Sequence, residues 1–358
     1  MPNHSTRGIA LSLHPARLLA AVMLASGLIS AAVSTPASAT VCPTATVTVA
    51  NKADLHAALA AAVPGTVIEL APGVYDDKFV ATTPGTAADP VWLCGPTSAV
   101  LDDGSISGGY GLHLAGASYW HLRGFTITGA QKGLVVDAAH HVTVEGLTVH
   151  DVGDEAIHLR TNTTDSLVTG NTIYGTGLRR DTFGEAVYVG SSDANWGVLT
   201  GGQPDRSDRN VVSYNTIWDV SAEAVDVKEG TTGGQVIGNI MDGTLLAHSG
   251  ITDRFKDADS WVDIKGNDYL ISGNVGVHSL LTGYETHRRN MIKKGLGDWG
   301  LRNVFDGNSA DVQGVTGGPD PTRGFFIHDP STSANVVRCN NVVTNAQVFA
   351  SWGVTCVP

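Results

Sequence analysis

Short runs of alternating apolar and polar residues recur along this chain, separated by Gly, Asn and Thr. They read GLHL from Gly111, GLVV from Gly133, AIHL from Ala156, AVYV from Ala186, AVDV from Ala224 and WVDI from Trp261. The first three begin at residues 111, 133 and 156, a period of roughly 22–23 residues, the signature of a stacked repeat. Side chains alternate along a strand, so each run has one aliphatic face: Leu112/Leu114, Leu134/Val136, Ile157/Leu159, Val187/Val189, Val225/Val227 and Val262/Ile264. Between them lie second strands such as HVTVEGLTV, SLVTGNTIY, VVSYNTIW, QVIGNIM and YLISGNV. Asn171, Asn215, Asn239 and Asn274 hold the same place in four of these, each after Gly or Tyr. In a stack they predict a ladder of amides bonding coil to coil at the ~4.8 Å strand spacing.

One helix stands out upstream. Leu55 and Leu59 share a face of Ala53–Ala62, and Pro64-Gly65 stops it before a strand at Thr66–Leu70. A helix in that place covers the open edge of a solenoid, which would otherwise recruit other chains. The pattern predicts an all-β fold, a right-handed parallel β-helix with an N-terminal helical cap. Residues 40–110 form the cap and first coils, and 111–358 form the repeats, loop insertions and C-terminal closure. Ser191–Arg209 and Leu245–Asp259 are polar insertions suited to a binding face. After Ser279 the alternation fades, and Tyr284–Lys294 reads as a helix or a covering loop.

Composition adds compartment and partners. Arg7 and Arg17, the apolar run Leu18–Val33 and the small-residue site Ala37-Ser38-Ala39 predict a signal peptide over residues 1–39 and a secreted mature protein. No later run is long enough for a membrane span. The formal charge of -12, without a basic stripe, argues against nucleic acid. An acidic substrate then requires a local positive field. Four cysteines in an exported chain predict disulfides, and we favour Cys42–Cys94 and Cys339–Cys356, one tying down each end.

With the strands in register, the outward residues form columns. One reads His113, Val135, His158, Tyr188, Asp226, Asp263; the next reads Ala115, Asp137, Arg160, Gly190, Lys228, Lys265. Glu155, Glu185 and Glu223 stand at the corner before the strands. Carboxylates roughly 5 Å apart repel unless a cation intervenes, which Lys228 and Arg160 or a calcium ion would supply. The bland alternative is a solvated polar ladder. Gly190 leaves a gap between Arg160 and Lys228, read either as a pocket or as the turn before the insertion.

GEAVYVGSSDANW followed by NTIWDVSAEAVDVKEGTTGGQVIGN resembles the β-helix polysaccharide lyases of the alginate lyase and chondroitinase B family (polysaccharide lyase family 6). ADLHAALAAAVPGTVIELAPGVY is similar to that family's opening. The resemblance implies β-elimination on an acidic, uronic-acid-containing polysaccharide, by a monomer acting alone. It implies Lys228 as base and Glu185 and Glu223 as calcium ligands. Ser221 stands where the family has a further Glu, and Asp226 substitutes for it. The family's second catalytic cation has no clean counterpart; His248 and Arg254 lie nearest in sequence. Lys228 serves as base if Lys265, Arg160 and calcium lower its pKa, with Tyr188 or His248 protonating the leaving oxygen. His158, Lys265, Asp263 and Arg254 are the expected substrate contacts. Three rivals share the fold: a glycoside hydrolase using Glu185 with Glu223 or Asp226, a C5-epimerase, and a non-catalytic carbohydrate-binding protein stacking sugars on Trp196, Trp218, Trp261 or Trp299.

Overall fold

Three strands per turn wind the chain into a right-handed parallel β-helix, and like strands stack into three long parallel sheets of 11, 10 and 10 strands. The computed structural model describes residues 42–243, 260–279, 281–313 and 321–358. The expected leader over 1–39, with His248, Arg254 and all of the second insertion, lies outside the described residues.

The inward aliphatic pairs are all at most 1% exposed, and they form the continuous core. Each fully buried Leu, Ile or Val contributes about 1.5–3 kcal/mol. A slip of one residue would turn these pairs outward, so the core fixes the register. The pairing is accordingly Val135–His158, His158–Tyr188, Tyr188–Asp226 and Asp226–Asp263, the column order read from the sequence.

The asparagine ladder is longer than expected. It runs Asn171, Asn215, Asn239, Asn274, Asn308, Asn341, each amide donating to the next side-chain oxygen at 2.9–3.0 Å. The residues before four of these asparagines, Gly170, Tyr214, Gly238 and Gly273, have φ of 54–64°, the left-handed turn that aims each amide inward.

The cap is the helix Lys52–Ala61, with the Asn51 side chain accepting from the Asp54 amide. Its Leu55, Ala58 and Leu59 are buried over the first coil. Both favoured disulfides are present, Cys42–Cys94 and Cys339–Cys356. No helix among the described residues is long and apolar enough to cross a membrane.

Tyr284–Lys294 departs from the reading as a helix or loop. Thr282–Thr286 is a further strand of the stack, and Arg289–Asn290 pairs with Asp298–Trp299 in a small antiparallel hairpin. The inward residues here are Thr282, Tyr284 and Thr286, buried but not aliphatic, so the alternation is hidden.

Candidate active site

The Val225–Val227 strand lies between Val187–Val189 and Val262–Ile264. The residue after each strand continues the ladder: the Lys228 amide bonds the Val189 carbonyl, Lys265 that of Val227, and His287 that of Ile264. Lys228, Lys265 and His287 therefore share one column, and Asp226, Asp263 and Glu285 the one beside it. At the corner, the Ala186 amide bonds the Glu223 carbonyl, which sets Glu185 and Glu223 in adjacent coils.

A cleft of about 460 Å³ opens on these columns. Its floor holds Glu185, Glu223, Asp226, Lys228, Asp263 and Lys265. One wall joins the first insertion to the hairpin: Arg289 bridges to Asp193 at 2.8 Å, and the Asp193 amide donates to Glu229 at 2.7 Å. The first insertion thus lines the cleft, as expected of a binding loop.

Charges in the floor are interlocked. Lys228 pairs with Asp226, and Lys265 pairs with Asp263 and, at 3.4 Å, with Asp226. His287 Nδ1 lies 2.9 Å from Asp263. Burial raises the Glu185 carboxyl to about 8, with Glu155 and Asp226 adding repulsion. Burial, then Asp226, also pushes Glu223 well above the carboxylate range. Burial works to lower the Lys228 ammonium, yet Asp226, Glu223 and Glu185 together hold it well above its ordinary value. The expected lowering of Lys228 is therefore reversed, because the carboxylates are closer partners than the cations. Asp263, despite burial, is held below its ordinary value by Lys265 and His287.

One oxygen from each of Glu185, Glu223 and Asp226 lies within 4.8 Å of the others. Glu185 Oε2 is buried with no hydrogen-bond partner. Such an oxygen lacks a partner, and hard oxygen donors suit calcium. These three residues fit a divalent cation. Glu155 does not join them, since Lys132 engages it.

Other expected site residues sit elsewhere. Arg160 is not beside Lys228: it forks onto Asp137 and reaches the Tyr110 hydroxyl at 2.9 Å, because Asp137 precedes it in its own column. His158 is 4% exposed, its Nε2 bonded to the Gly190 carbonyl, so it cannot touch a polymer. Tyr188 is 8% exposed; its ring carries the Lys228 ammonium at 4.9 Å and meets His158 edge-on. Gly190 is no pocket: its φ is +83°, and a Cβ there would meet Thr231 Cγ2 at 2.6 Å. Trp196, Trp261 and Trp299 are buried, which removes them as sugar platforms; Trp218 is half-buried and stacks on Tyr174.

The sequence reading missed His287, Glu229, Arg288 and Arg289, all lining the cleft. The one visible signal for His287, Arg288 and Arg289 was the basic run YETHRRNMIKK; Glu229 directly follows Lys228.

A coiled stack with a charged cleft on one sheet defines the class, and comparison with known proteins places the chain within it. The model of the right handed beta helix region family matches residues 110–292. The chain belongs to this right-handed β-helix family and is a relative of its polysaccharide lyases. The alginate lyase from Paenibacillus sp. str. FPU-7 is 32% identical, with 86% of this chain and 100% of that chain covered and a TM-score of 0.67. Pectate lyase Pel9A is 16% identical, with coverage of 84% and 75% and a TM-score of 0.51. PfbA, a surface adhesin of Streptococcus pneumoniae, is 12% identical, with coverage of 86% and 76% and a TM-score of 0.56. The last two share the fold alone. No curated protein sequence matches the chain.

Proposed function

We propose that this protein is a secreted polysaccharide lyase that cleaves a uronic-acid-containing polymer by β-elimination, with Lys228 as the base. The observation that carries the reading is the convergence of Lys228, Lys265 and the Glu185–Glu223–Asp226 group on one open cleft. The similarity to an alginate lyase supports it.

The reaction removes the proton from C5 of a uronate and expels the oxygen on C4. That proton is barely acidic while the neighbouring carboxylate keeps its full charge, so positive charge must sit on the carboxylate. Lys265, deep in the floor and protonated, meets this need. Lys228, one coil away, faces C5. Glu185, Glu223 and Asp226 are the residues that would hold calcium. Bound there, calcium supplies further positive charge to the carboxylate and offsets the acids that keep Lys228 protonated.

The test is to incubate the mature protein with alginate, pectate, chondroitin sulfate and hyaluronan and follow ultraviolet absorbance of the new double bond beside reducing ends. Absorbance and reducing ends are expected to rise together on a uronate polymer. Reducing ends without absorbance would replace elimination with hydrolysis at the two glutamates. Chelation is expected to lower the rate at least tenfold, and added calcium to restore it. By calorimetry the Glu185→Gln variant is expected to bind calcium about tenfold more weakly; unchanged binding removes Glu185 as a ligand.

A further inference from the structure

We infer that His287 is the catalytic acid of this cleft, giving the proton on Nε2 to the oxygen that leaves C4. The inference rests on the elimination reading and names the group that completes it.

Elimination needs two proton-handling groups that reach neighbouring atoms of one sugar, the hydrogen on C5 and the oxygen on C4. Lys228 and His287 stand in the same column with Lys265 between them, two strand spacings or roughly 9.6 Å along the stack. A uronate whose carboxylate lies against Lys265 therefore has Lys228 on one side and His287 on the other.

The environment of His287 suits a donor. Asp263, itself buried, takes Nδ1 at 2.9 Å, which fixes the ring and stabilises the imidazolium. Nε2 is 3.6 Å from Glu285, beyond a hydrogen bond. The imidazole is 36% exposed, well above the lysines of the floor at 14% and 18%. Phe326 and His328 from the next coil pack at 5.7 and 6.2 Å between ring centroids, and Lys265 opposes the charge. Asp263 raises the imidazole to about 9 against the pull of burial, with help from Glu285, so it carries its proton at neutral pH.

The other donors near the cleft are engaged. Arg288 is forked onto Asp298, Arg289 bridges to Asp193, and Lys265 serves two aspartates. Tyr188 keeps its phenol proton but is 8% exposed and is not among the residues that line the cleft.

The step balances. Lys228 takes the C5 proton, and that electron pair becomes the C4–C5 double bond. The C4–oxygen bond breaks with its pair on oxygen, which takes the proton from Nε2 and becomes the new reducing end. Proton exchange with water restores both side chains.

The experiment uses the full mature chain with two probes, alginate and a uronate bearing a nitrophenoxy group at C4, whose departure needs no proton. His287→Asn keeps an amide donor for Asp263 and loses Nε2; circular dichroism and the melting temperature check that it folds. We expect kcat on alginate to fall about 10²–10³-fold with KM within a few fold. Turnover of the nitrophenoxy probe should stay within about tenfold of the parent, and the fall of kcat/KM above about pH 9 should disappear. Equal loss on both probes, or a rise in KM alone, would overturn the assignment. So would loss of the alkaline limb in Tyr188→Phe rather than in His287→Asn. A parent enzyme that turns over neither the nitrophenoxy probe nor any of the four polymers above overturns the elimination reading itself.

Discussion

Replacing Lys228 with alanine is expected to lower the release of unsaturated oligosaccharides by at least about 10³-fold, at the upper part of the range for loss of a general base. Among the described residues no neighbouring cation can take over. Lys265 is tied to two aspartates, and Arg160 is turned away onto Asp137. Alanine also removes a structural role. Lys228 is the close partner of buried Asp226 and offsets the Glu185 and Glu223 carboxyls. Breaking a buried pair costs about 3–5 kcal/mol, so the alanine variant should melt lower, most clearly without calcium. Lys228→Arg separates the two roles. Arginine keeps the charge and does not deprotonate, so it should restore most of the stability and none of the turnover. Turnover by the arginine variant within tenfold of the parent would remove Lys228 as the base.

Asn239→Leu is expected to be the most damaging substitution outside the cleft. The Asn239 side-chain oxygen accepts from the Asn215 backbone amide and side chain at 3.0 and 2.9 Å. Its amide donates to the Val212 carbonyl at 3.0 Å and to Asn274 at 2.9 Å. All of these groups are buried, and leucine satisfies none of them. A buried group left without its partner costs about 1–3 kcal/mol, so the loss should reach about 3 kcal/mol or more. In a chain of this size that is a fall in melting temperature on the order of 5–10 °C. A smaller effect for Asn341→Leu is expected, because Asn341 ends the ladder and has one asparagine neighbour rather than two. Equal melting of both variants would mean that the ladder is not cooperative along the stack.

The fold was legible because the core is repetitive. Pairs such as Val225/Val227 recur at matching places, and two-residue alternation fixes which face each neighbour shows. That placed Glu185, Glu223, Asp226, Lys228, Asp263 and Lys265 together in advance. Legibility failed where threonine replaced aliphatic residues inside. Thr282 and Thr286 broke the pattern, so the coil carrying Glu285 and His287 looked like a loop. It failed again where side chains choose between partners. A column places Arg160 two coils before Lys228, but only three-dimensional geometry shows that Asp137 captures it. The direction of the Lys228 shift was misjudged for a similar reason: counting cations along a column overlooks the nearer acids across it.

The central claim is that one uronate ring sits over the Lys228–Lys265–His287 column. Its most direct test is a crystal structure of Lys228→Arg with calcium and a uronate trisaccharide. The sugar carboxylate should lie against Lys265, with the C5 hydrogen facing residue 228 and the C4 oxygen toward His287. A saccharide bound on either of the other two sheets, or lying in the cleft with its carboxylate turned away from Lys265, would contradict it.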